Sequence, residues 1–491
     1  EVAQPNRLIR QHQIGLYLAE SFKATSRLTL EAGVRWDYYG TPVYKDGKMA
    51  NWDPATGNVI VAPGTYTLVS MYYPKNINVV VGDVVAKPKR DNLRPRAGFA
   101  FRLAQNTVLR GGYGEFTENP GYGENGRLPS TNPFWLKETY NNWIPTTLPA
   151  LAFPRPFPTN PLLVPFPAQS VTAVPMKTEE GRIRQFNLTL ERLLGPAALS
   201  VSYVGFRGVN MNYLLDVNKP PASTIPFRND RKPYPQFGSA YRYRNDGRWR
   251  YDSLVARVRN HRGPVLLDSA FTWANNVANY LNTLDPYNVT NHWTRDGATR
   301  RLYLVTTASW SLPVGRGKRL LGKAGRWVNL GVGNWTLQAM ASFATGQYYS
   351  PWFTGPDPAN ASPGYVTLLP DCVGNPNAGA RNKNLWFNPA AFAIPPAGAG
   401  RYGNCGMNVL EGYPVHVAHA SLAKQIPLSE KLRAIFTAQV SNVTNTPHFT
   451  FPESNLSEPN VGRFTASSRA TDAIPIQQGP RQIMLKLRVE F

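Results

Sequence analysis

The chain has 491 residues, which is more than one ordinary globular core holds but acceptable for a large barrel. Apolar residues make up 42% of it, and no stretch approaches the ~18 uncharged apolar residues that a membrane helix needs. Its net charge of +23 would suit an anionic partner such as nucleic acid, lipopolysaccharide phosphate or an acidic ligand. Because the arginines are spread over many segments, a charged lumen and charged loops are the favoured interpretation, and no nucleic-acid partner is expected.

Two further features of composition bear on the class of protein. Aromatic residues are 12% of the chain, which suits interfacial aromatic girdles as well as binding loops. The first residue is Glu1 and not an initiator methionine, and the sequence does not start with a signal peptide. We therefore expect the chain to be the C-terminal portion of a longer protein.

In chain order, the first two periodic segments cover residues 13–23 and 27–39. The second has the clearest alternation, with Leu30, Val34 and Trp36 on one face and Arg35 and Asp37 on the other. A period of two predicts a strand with one apolar and one charged face. Lipid on one side and a wet lumen on the other would satisfy both faces.

The same alternation recurs to the end of the chain, and it predicts about 13 strands of ~10 residues, the length of a tilted barrel strand. The final strand carries on one side Ile483, Leu485, Leu487, Val489 and Phe491. Short turns follow the odd-numbered strands, with 313–333 the one longer exception. Long loops follow the even-numbered strands, at about 41–92, 118–181, 208–249, 277–299, 348–412 and 445–478.

This asymmetry of short turns and long loops is typical of outer-membrane barrels, with turns in the periplasm and loops outside the cell. The predicted fold is therefore an all-β, antiparallel, up-and-down transmembrane barrel in the outer membrane of a Gram-negative bacterium. An odd number of strands cannot close antiparallel. We therefore expect at least one upstream strand to be absent, and these residues to form an open, curved wall or an irregularly closed sheet.

No catalytic or metal-binding constellation is found in the sequence, so neither enzymatic activity nor a cofactor is expected. Of six histidines only His416 and His419 are close, and residues three apart on a strand face opposite sides. No nucleophile elbow is present, and the glycine-rich segments 110–114 and 314–318 lack phosphate-loop spacing.

The best ligand-binding candidates interleave guanidinium and aromatic groups, which could stack on sugars or bases and hold phosphate or carboxylate. They are Arg242, Tyr243, Arg244, Arg248 and Trp249, with Tyr348 and Trp352 as a weaker pair. A self-packed extracellular loop, or one lying near lipopolysaccharide, is the alternative. Cys372 and Cys405 share one Pro/Gly/Asn-rich region, and in an oxidising compartment they could form a disulfide that closes it.

A set of motifs, ordered from end to end, resembles the C-terminal barrel portion of TonB-dependent receptors of the Oar-like type. Those receptors have an N-terminal carboxypeptidase-regulatory-like domain and are common in Acidobacteria-like genomes. The matching stretches are GLYLAESFKATSRLTLEAGVRWDYY at 15–39, DPATG at 53–57, LRPRAGFAFRL at 93–103, TVLRGGYGEF at 107–116, SYVGFRG at 202–208, PYPQFG at 233–238, SLPVGRGKR at 311–319, NWTLQAMASFATGQ at 334–347, WFNPAAF at 386–392, YGNCGMNVLEG at 402–412 and SNVTNTPHF at 441–449.

The resemblance implies a barrel of roughly 22 strands plugged by an N-terminal domain. The TonB complex would supply energy through the absent N-terminal part, and extracellular loops would capture a bulky ligand such as a siderophore or an oligosaccharide. Outer-membrane lipid and lipopolysaccharide would surround the barrel. The final strand is also similar to the signal read by the barrel-assembly machinery, with Phe491 terminal. Family strands often carry an aromatic residue at the position of Ile483 or Val489.

Two other functions stay open from the sequence. One is a surface adhesion or protein-export barrel, and the other is a soluble basic all-β binding module. The soluble module would bury Trp36, Leu188 and Leu487 in a dry interior, whereas a membrane barrel would place them on its outer face.

Overall fold

A computed structural model describes residues 8–118, 132–136, 168–177, 179–379, 381–429, 432–465 and 480–491. Almost all of its regular structure is β. One antiparallel sheet dominates, and we number its principal strands β1 to β13 in chain order. They are Gln13–Lys23, Leu28–Tyr39, Leu93–Ala104, Thr107–Thr117, Arg182–Leu194, Ala197–Asp216, Ala240–Asn260, Val265–Ala278, Leu302–Ser311, Trp335–Ala344, Val415–Pro427, Arg433–Ser441 and Gln482–Glu490.

Each principal strand pairs with its neighbours in sequence, so the sheet is a pure up-and-down meander from β1 to β13. Tight turns join the odd-numbered strands to the next strand, for example Gly195–Pro196 between β5 and β6. The exception is the connection from β9 to β10, which holds the helix Arg326–Val332. The predicted strand count and turn asymmetry are confirmed. Among the described residues β1 and β13 are the two edges of the sheet.

The register shows that the apolar side chains lie on one continuous face. Directly paired residues share a face, and one such row crosses β2 to β9. Its members are Leu30, Phe99, Gly111, Leu188, Tyr203, Leu254, Trp273 and Leu302. A second row continues on that face from β9 to β13 through Trp310, Leu337, Leu422, Ala438 and Leu485.

This face is exposed, as a surface in contact with lipid requires. Leu188 is 48% exposed and Leu487 is 70% exposed. Trp36 shares their face, because it alternates in phase with Leu30. The opposite face carries Arg35 and Asn187. The expectation of an outward apolar belt is therefore confirmed, and a soluble sandwich that buries these residues is excluded.

At the other ends of the strands, the long connections fold into a layer that we call the cap. It comprises the described parts of residues 40–92, 132–136, 168–177, 217–239, 279–301, 345–414 and 442–465. It contains short strands Val43–Tyr44, Ala50–Trp52, Val59–Val61, Val79–Val81, Val171–Ala173, Thr294–Arg295, Tyr348–Tyr349, Phe353–Pro356, Tyr365–Leu368, Asp371–Cys372, Phe392–Ala393 and Leu410–Glu411, and 3-10 turns Tyr66–Leu68, Asn229–Arg231 and Pro389–Ala391. A further short strand, Ile9–Arg10, pairs with Val43–Tyr44.

The cap has hydrophobic cores of its own. One is centred on Trp52 and Phe237, which are 2% and 0% exposed, and Val171 packs there as well. A second is centred on Phe387 and Leu410, both 0% exposed. Burial of such side chains stabilises each by roughly 1.5–3 kcal/mol relative to solvent. The cap is therefore an ordered layer and not a set of independent loops.

Two strands are longer than the sequence predicts, so the predicted loop at 208–249 is wrong in its bounds. Strand β6 runs on to Asp216 and β7 begins at Ala240, which leaves 217–239 as the connection. A bulge around Met211, with Asn210 at a φ of 56°, lets the pair continue beyond the bilayer. Most of the predicted loop 118–181 lies outside the described residues.

Candidate functional site

The five residues predicted from 242–249 lie within strand β7 and not in a loop. Tyr243 is 8% exposed and packs against Ala86 and Val174 in the interior of the cap. Trp249 stacks on Phe206, with ring centroids 5.9 Å apart. The aromatic side chains of this segment are thus engaged in packing.

The arginines of the same segment alternate with those aromatics along β7. Arg242 and Arg248 are exposed, while Arg244 forms an ion pair with Asp246 and lies 5.9 Å from the ring centroid of Tyr213. The cation–π contact that the structure shows is therefore internal to the protein. Ligand contact by these arginines stays a prediction.

The weaker pair, Tyr348 and Trp352, also lies in the cap. Tyr348 is 8% exposed, and the guanidinium of Arg295 covers its ring at 4.7 Å. The backbone carbonyl of Trp352 accepts a hydrogen bond of 2.7 Å from the backbone N–H of Leu456. Its own N–H donates one of 2.9 Å to the carbonyl of Ser454. Both residues join segments of the cap to each other.

A cleft of about 610 Å³ opens in the cap between two connections that are distant in sequence. One wall comes from residues 282–294, which follow β8, and the other from 400–406. The cleft is lined chiefly by amides, one carboxylate and aromatic rings. Its lining includes Asn282, Asp285, Asn288, Asn291, His292, Trp293, Arg401, Tyr402 and Asn404.

The first wall presents an aromatic surface beside hydrogen-bonding groups. Trp293 is 52% exposed. The side chain of Asn288 lies 3.0 Å from Nε2 of His292 and accepts from the amide of Asn291. Because amides both donate and accept, this wall can bind hydroxyl groups in either role.

The second wall is held in place by an ion pair. The guanidinium of Arg401 donates two hydrogen bonds of 2.7 Å to the two carboxylate oxygens of Asp371, which lowers the pKa of that carboxyl. The backbone of Asn404 donates to the same carboxylate at 3.0 Å. This network fixes the position of the wall and neutralises the charge of Arg401.

The two cysteines lie at the base of the same wall. The Cα atoms of Cys372 and Cys405 are 4.8 Å apart, and the pair adopts the connectivity of a disulfide. The disulfide itself stays a prediction. A bridge here would tie residue 405, on the cleft wall, to the short strand Asp371–Cys372.

Tyr402 is the buried polar group that faces this cleft. Its hydroxyl has no hydrogen-bond partner among the described residues, and burial raises the pKa of the phenol. A buried donor without a partner is unfavourable unless something else accepts from it. The hydroxyl oxygen is covered by protein, so other atoms of Tyr402 line the cleft.

Sequence reasoning missed this cleft because its walls are more than 100 residues apart. The DPYN segment at 285–288 reads only as a turn, and the neighbouring Asn291-His292-Trp293 has no periodicity. The one usable signal was the pair of cysteines, which marks the segment that forms the second wall.

No group of three or more histidine, cysteine, aspartate or glutamate side chains in the described part of the chain could hold a metal ion. His416 pairs with Phe343 on the apolar face, whereas His419 pairs with Met340 on the other, as their spacing predicts. Across the described ranges, no helix combines the length and hydropathy needed to cross a membrane.

The fold, the continuous apolar face and the strand lengths together define an outer-membrane β-barrel. Consistent with this, residues 1–483 match the family model described as an outer membrane beta barrel domain, and the chain belongs to that family. Its location is the outer membrane. A search of the curated proteins found no significant match.

Several solved structures are similar to the chain at low identity. The ferric-catecholate import receptor Fiu of E. coli is 12% identical, with a TM-score of 0.44 over 98% of this chain and 45% of its own. The ferripyoverdine receptor of Pseudomonas aeruginosa is 10% identical, with a TM-score of 0.44 over 98% and 39%. The siderophore receptor PiuA of Acinetobacter baumannii is 9% identical, with a TM-score of 0.46 over 98% and 43%. The chain spans less than half the length of these receptors.

Proposed function

We propose that this chain is the barrel portion of an outer-membrane, TonB-dependent receptor of the Oar-like type that imports a bulky ligand. The observation that carries the proposal is the cleft in the ordered cap, which lies at the long-loop end of a sheet with a charged inner face. The order and spacing of the receptor-like motifs in the sequence support it. Energy coupling would involve the TonB complex through a segment outside this chain.

The lining of the cleft favours an uncharged, polyhydroxylated ligand such as an oligosaccharide over a highly charged one. The charge of Arg401 is matched by Asp371. Asp285 contributes one carboxylate, which disfavours an anionic ligand, and the remaining groups are mostly amides and aromatic rings. Flat aromatic faces such as Trp293 suit the apolar faces of sugar rings, while amides exchange hydrogen bonds with hydroxyls.

Uptake by cells that produce the complete protein tests this function. Labelled oligosaccharides, with a ferric siderophore as comparison, are followed in cells with and without the gene and with the energising complex deleted. We expect that an oligosaccharide is taken up, and that its uptake requires both the gene and the energising complex. Uptake that persists without the energising complex would contradict import of this kind.

Two tryptophan variants locate the ligand. Trp293→Ala removes the exposed ring in the cleft and should weaken capture by roughly 5- to 150-fold, given about 1–3 kcal/mol for a stacked ring. Trp327→Ala is the matched control, because Trp327 is 79% exposed on the helix of the short-turn side. Equal loss in both variants would exclude the cleft as the capture site.

A surface adhesion function is the second candidate. The cap exposes apolar side chains on residues 66–71, where Tyr66 is 53% and Met71 is 81% exposed. Exposed apolar groups of this kind favour contact with another protein surface. Loss of cell attachment in a Met71→Ser variant, with uptake unchanged, would favour adhesion.

A further inference from the structure

The outward face of the sheet carries an arginine cluster just beyond its apolar belt. Glu115, Arg184, Arg207 and Arg250 pair directly across β4, β5, β6 and β7, so they form one row on the face that carries Leu188. Adjacent strands are about 4.8 Å apart, so three guanidinium side chains lie within roughly 10 Å. Arg182 lies on the same face of β5, two residues before Arg184 and nearer the cap.

This row lies at the cap end of the belt. Strand β5 begins at Arg182, on the cap side, and ends at the short turn that contains Gly195. Four residues further toward the short-turn side, the same face carries Leu188 and Leu254. The cost of an arginine on the lipid face falls from about 2–4 kcal/mol at the midplane to about 0–1 near the interface. The row, with Asp252 one same-face position nearer the belt, therefore lies close to the level at which the hydrocarbon ends.

The cluster is built from two similar units. In one, the carboxylate of Asp252 accepts from Arg207 at 2.8 Å, from Arg250 at 2.7 Å and from the hydroxyl of Tyr203 at 2.5 Å. The ring of Phe186 lies 5.2 Å below the guanidinium of Arg207. Gly205 makes room for that ring, because a Cβ there would lie 2.5 Å from it.

The second unit has a similar composition and lies on the neighbouring strands β4 and β5. Glu115 accepts from the hydroxyl of Tyr113 at 2.6 Å. Arg182 and Arg184 lie 3.6 and 3.3 Å from the same carboxylate. Each unit has two arginines and one carboxylate, so the cluster carries two positive charges in excess.

The excess charge is accessible. The four arginine side chains are between 32% and 56% exposed. Within the described residues, the side chain of Arg250 donates to protein only through Nε. Like charges directly opposite each other on a sheet are destabilising, and Arg184, Arg207 and Arg250 are paired in this way. An anion held between them would remove that repulsion.

We propose that this arginine cluster binds the phosphate groups of a phosphorylated glycolipid of the outer leaflet. Guanidinium groups bind phosphate through paired hydrogen bonds, and a membrane boundary presents phosphate at this level. The apolar row below the cluster, with Leu188 and Leu254, would contact the acyl chains of the same lipid. The site is separate from the cleft in the cap, so it does not depend on the proposed transport function.

Binding of lipid A tests the site in the purified complete protein. The protein is stripped of lipid in detergent and placed in nanodiscs that contain phosphorylated lipid A, dephosphorylated lipid A or neither. Native mass spectrometry then measures the lipid that stays bound. We expect retention of phosphorylated lipid A alone, reduced by high salt because the charges are partly exposed.

Matched triple variants distinguish the cluster from general positive charge. Arg184→Gln, Arg207→Gln and Arg250→Gln together should reduce retention by at least about tenfold, since each guanidinium–phosphate contact contributes about 1.5–3 kcal/mol. The control triple removes the same charge from the opposite face at Arg102, Arg110 and Arg259. If the outward triple fails to fold, Arg250→Gln alone should still weaken retention.

Three results would overturn the proposal. Equal retention of phosphorylated and dephosphorylated lipid A would show that acyl chains alone are bound. Equal loss in the control triple would show that the outward position is irrelevant. Binding of inorganic phosphate with no preference for the lipid would show a site for a free anion.

Discussion

The assignment of the two sheet faces can be tested by placing one arginine at two adjacent positions of β5. Leu188 is at the middle of this 13-residue strand, on the apolar face, and is 48% exposed. Asn187 is its neighbour on the opposite face, where Gly112 pairs with it and leaves space. The variants Leu188→Arg and Asn187→Arg therefore differ in face alone.

The expected difference follows from the solvent on each side. An arginine at the lipid midplane destabilises a barrel by about 2–4 kcal/mol, whereas on a wet inner face it costs little. The equilibrium constant for folding of Leu188→Arg should therefore be about 30- to 700-fold lower than that of the unmodified protein. Glu31 lies near Gly98 on the inner face, so a cation at residue 187 has a carboxylate nearby.

Urea titration of the complete protein refolded into lipid vesicles measures these free energies. Heat-modifiable migration on gels reports folding independently. An equal cost for the two variants, or a larger cost for Asn187→Arg, would refute the assignment of faces and with it the membrane-spanning sheet.

Three other predictions concern the cap and the end of the chain. Under non-reducing conditions, mass spectrometry should find Cys372 linked to Cys405, and Cys372→Ser should increase proteolysis of the cap while leaving the barrel folded. Because Arg401 lowers the pKa of Asp371, the stabilisation from this ion pair is present above the usual value of 3.8 and is lost as pH falls through the lowered value. Protease sensitivity of the cap should therefore rise in that acid range, and Arg401→Gln should abolish the pH dependence. Deletion of Phe491 should reduce the yield of assembled barrel in cells, measured by heat-modifiable migration, while Glu490→Gln should not.

The barrel strands were predictable because the alternation of apolar and polar residues within each strand reflects the lipid on one side and the water on the other. A residue such as Trp36 faces lipid and its neighbour Arg35 faces water, so the period of two is present in every strand without reference to distant residues. The same rule, applied further, would have corrected the error in β7. Tyr241, Tyr243, Trp249 and Tyr251 alternate with arginines along the sequence, which is the pattern of a strand.

The cap was not predictable in the same way, because its packing is not local. Phe237 contacts Trp52 although the two are 185 positions apart in the sequence, and neither residue belongs to a repeating pattern. Asn51 shows the same dependence, since its side chain donates to the carbonyl of Val174 at 2.8 Å. Such pairs are determined by how the connections meet above the sheet. A single sequence contains no periodic signal for that arrangement.

The long strand β7 connects the two parts of the molecule. A barrel strand needs about 9–11 residues to cross the bilayer, and β7 has 21. From Arg250, at the proposed edge of the hydrocarbon, to Ala240 the strand extends roughly 33 Å at about 3.3 Å per residue. Its far end pairs with Val171–Ala173, and Ala240 lies in the core that contains Trp52. The cap therefore rests on an extension of the barrel wall, and a ligand in the proposed capture cleft would be held above the membrane surface.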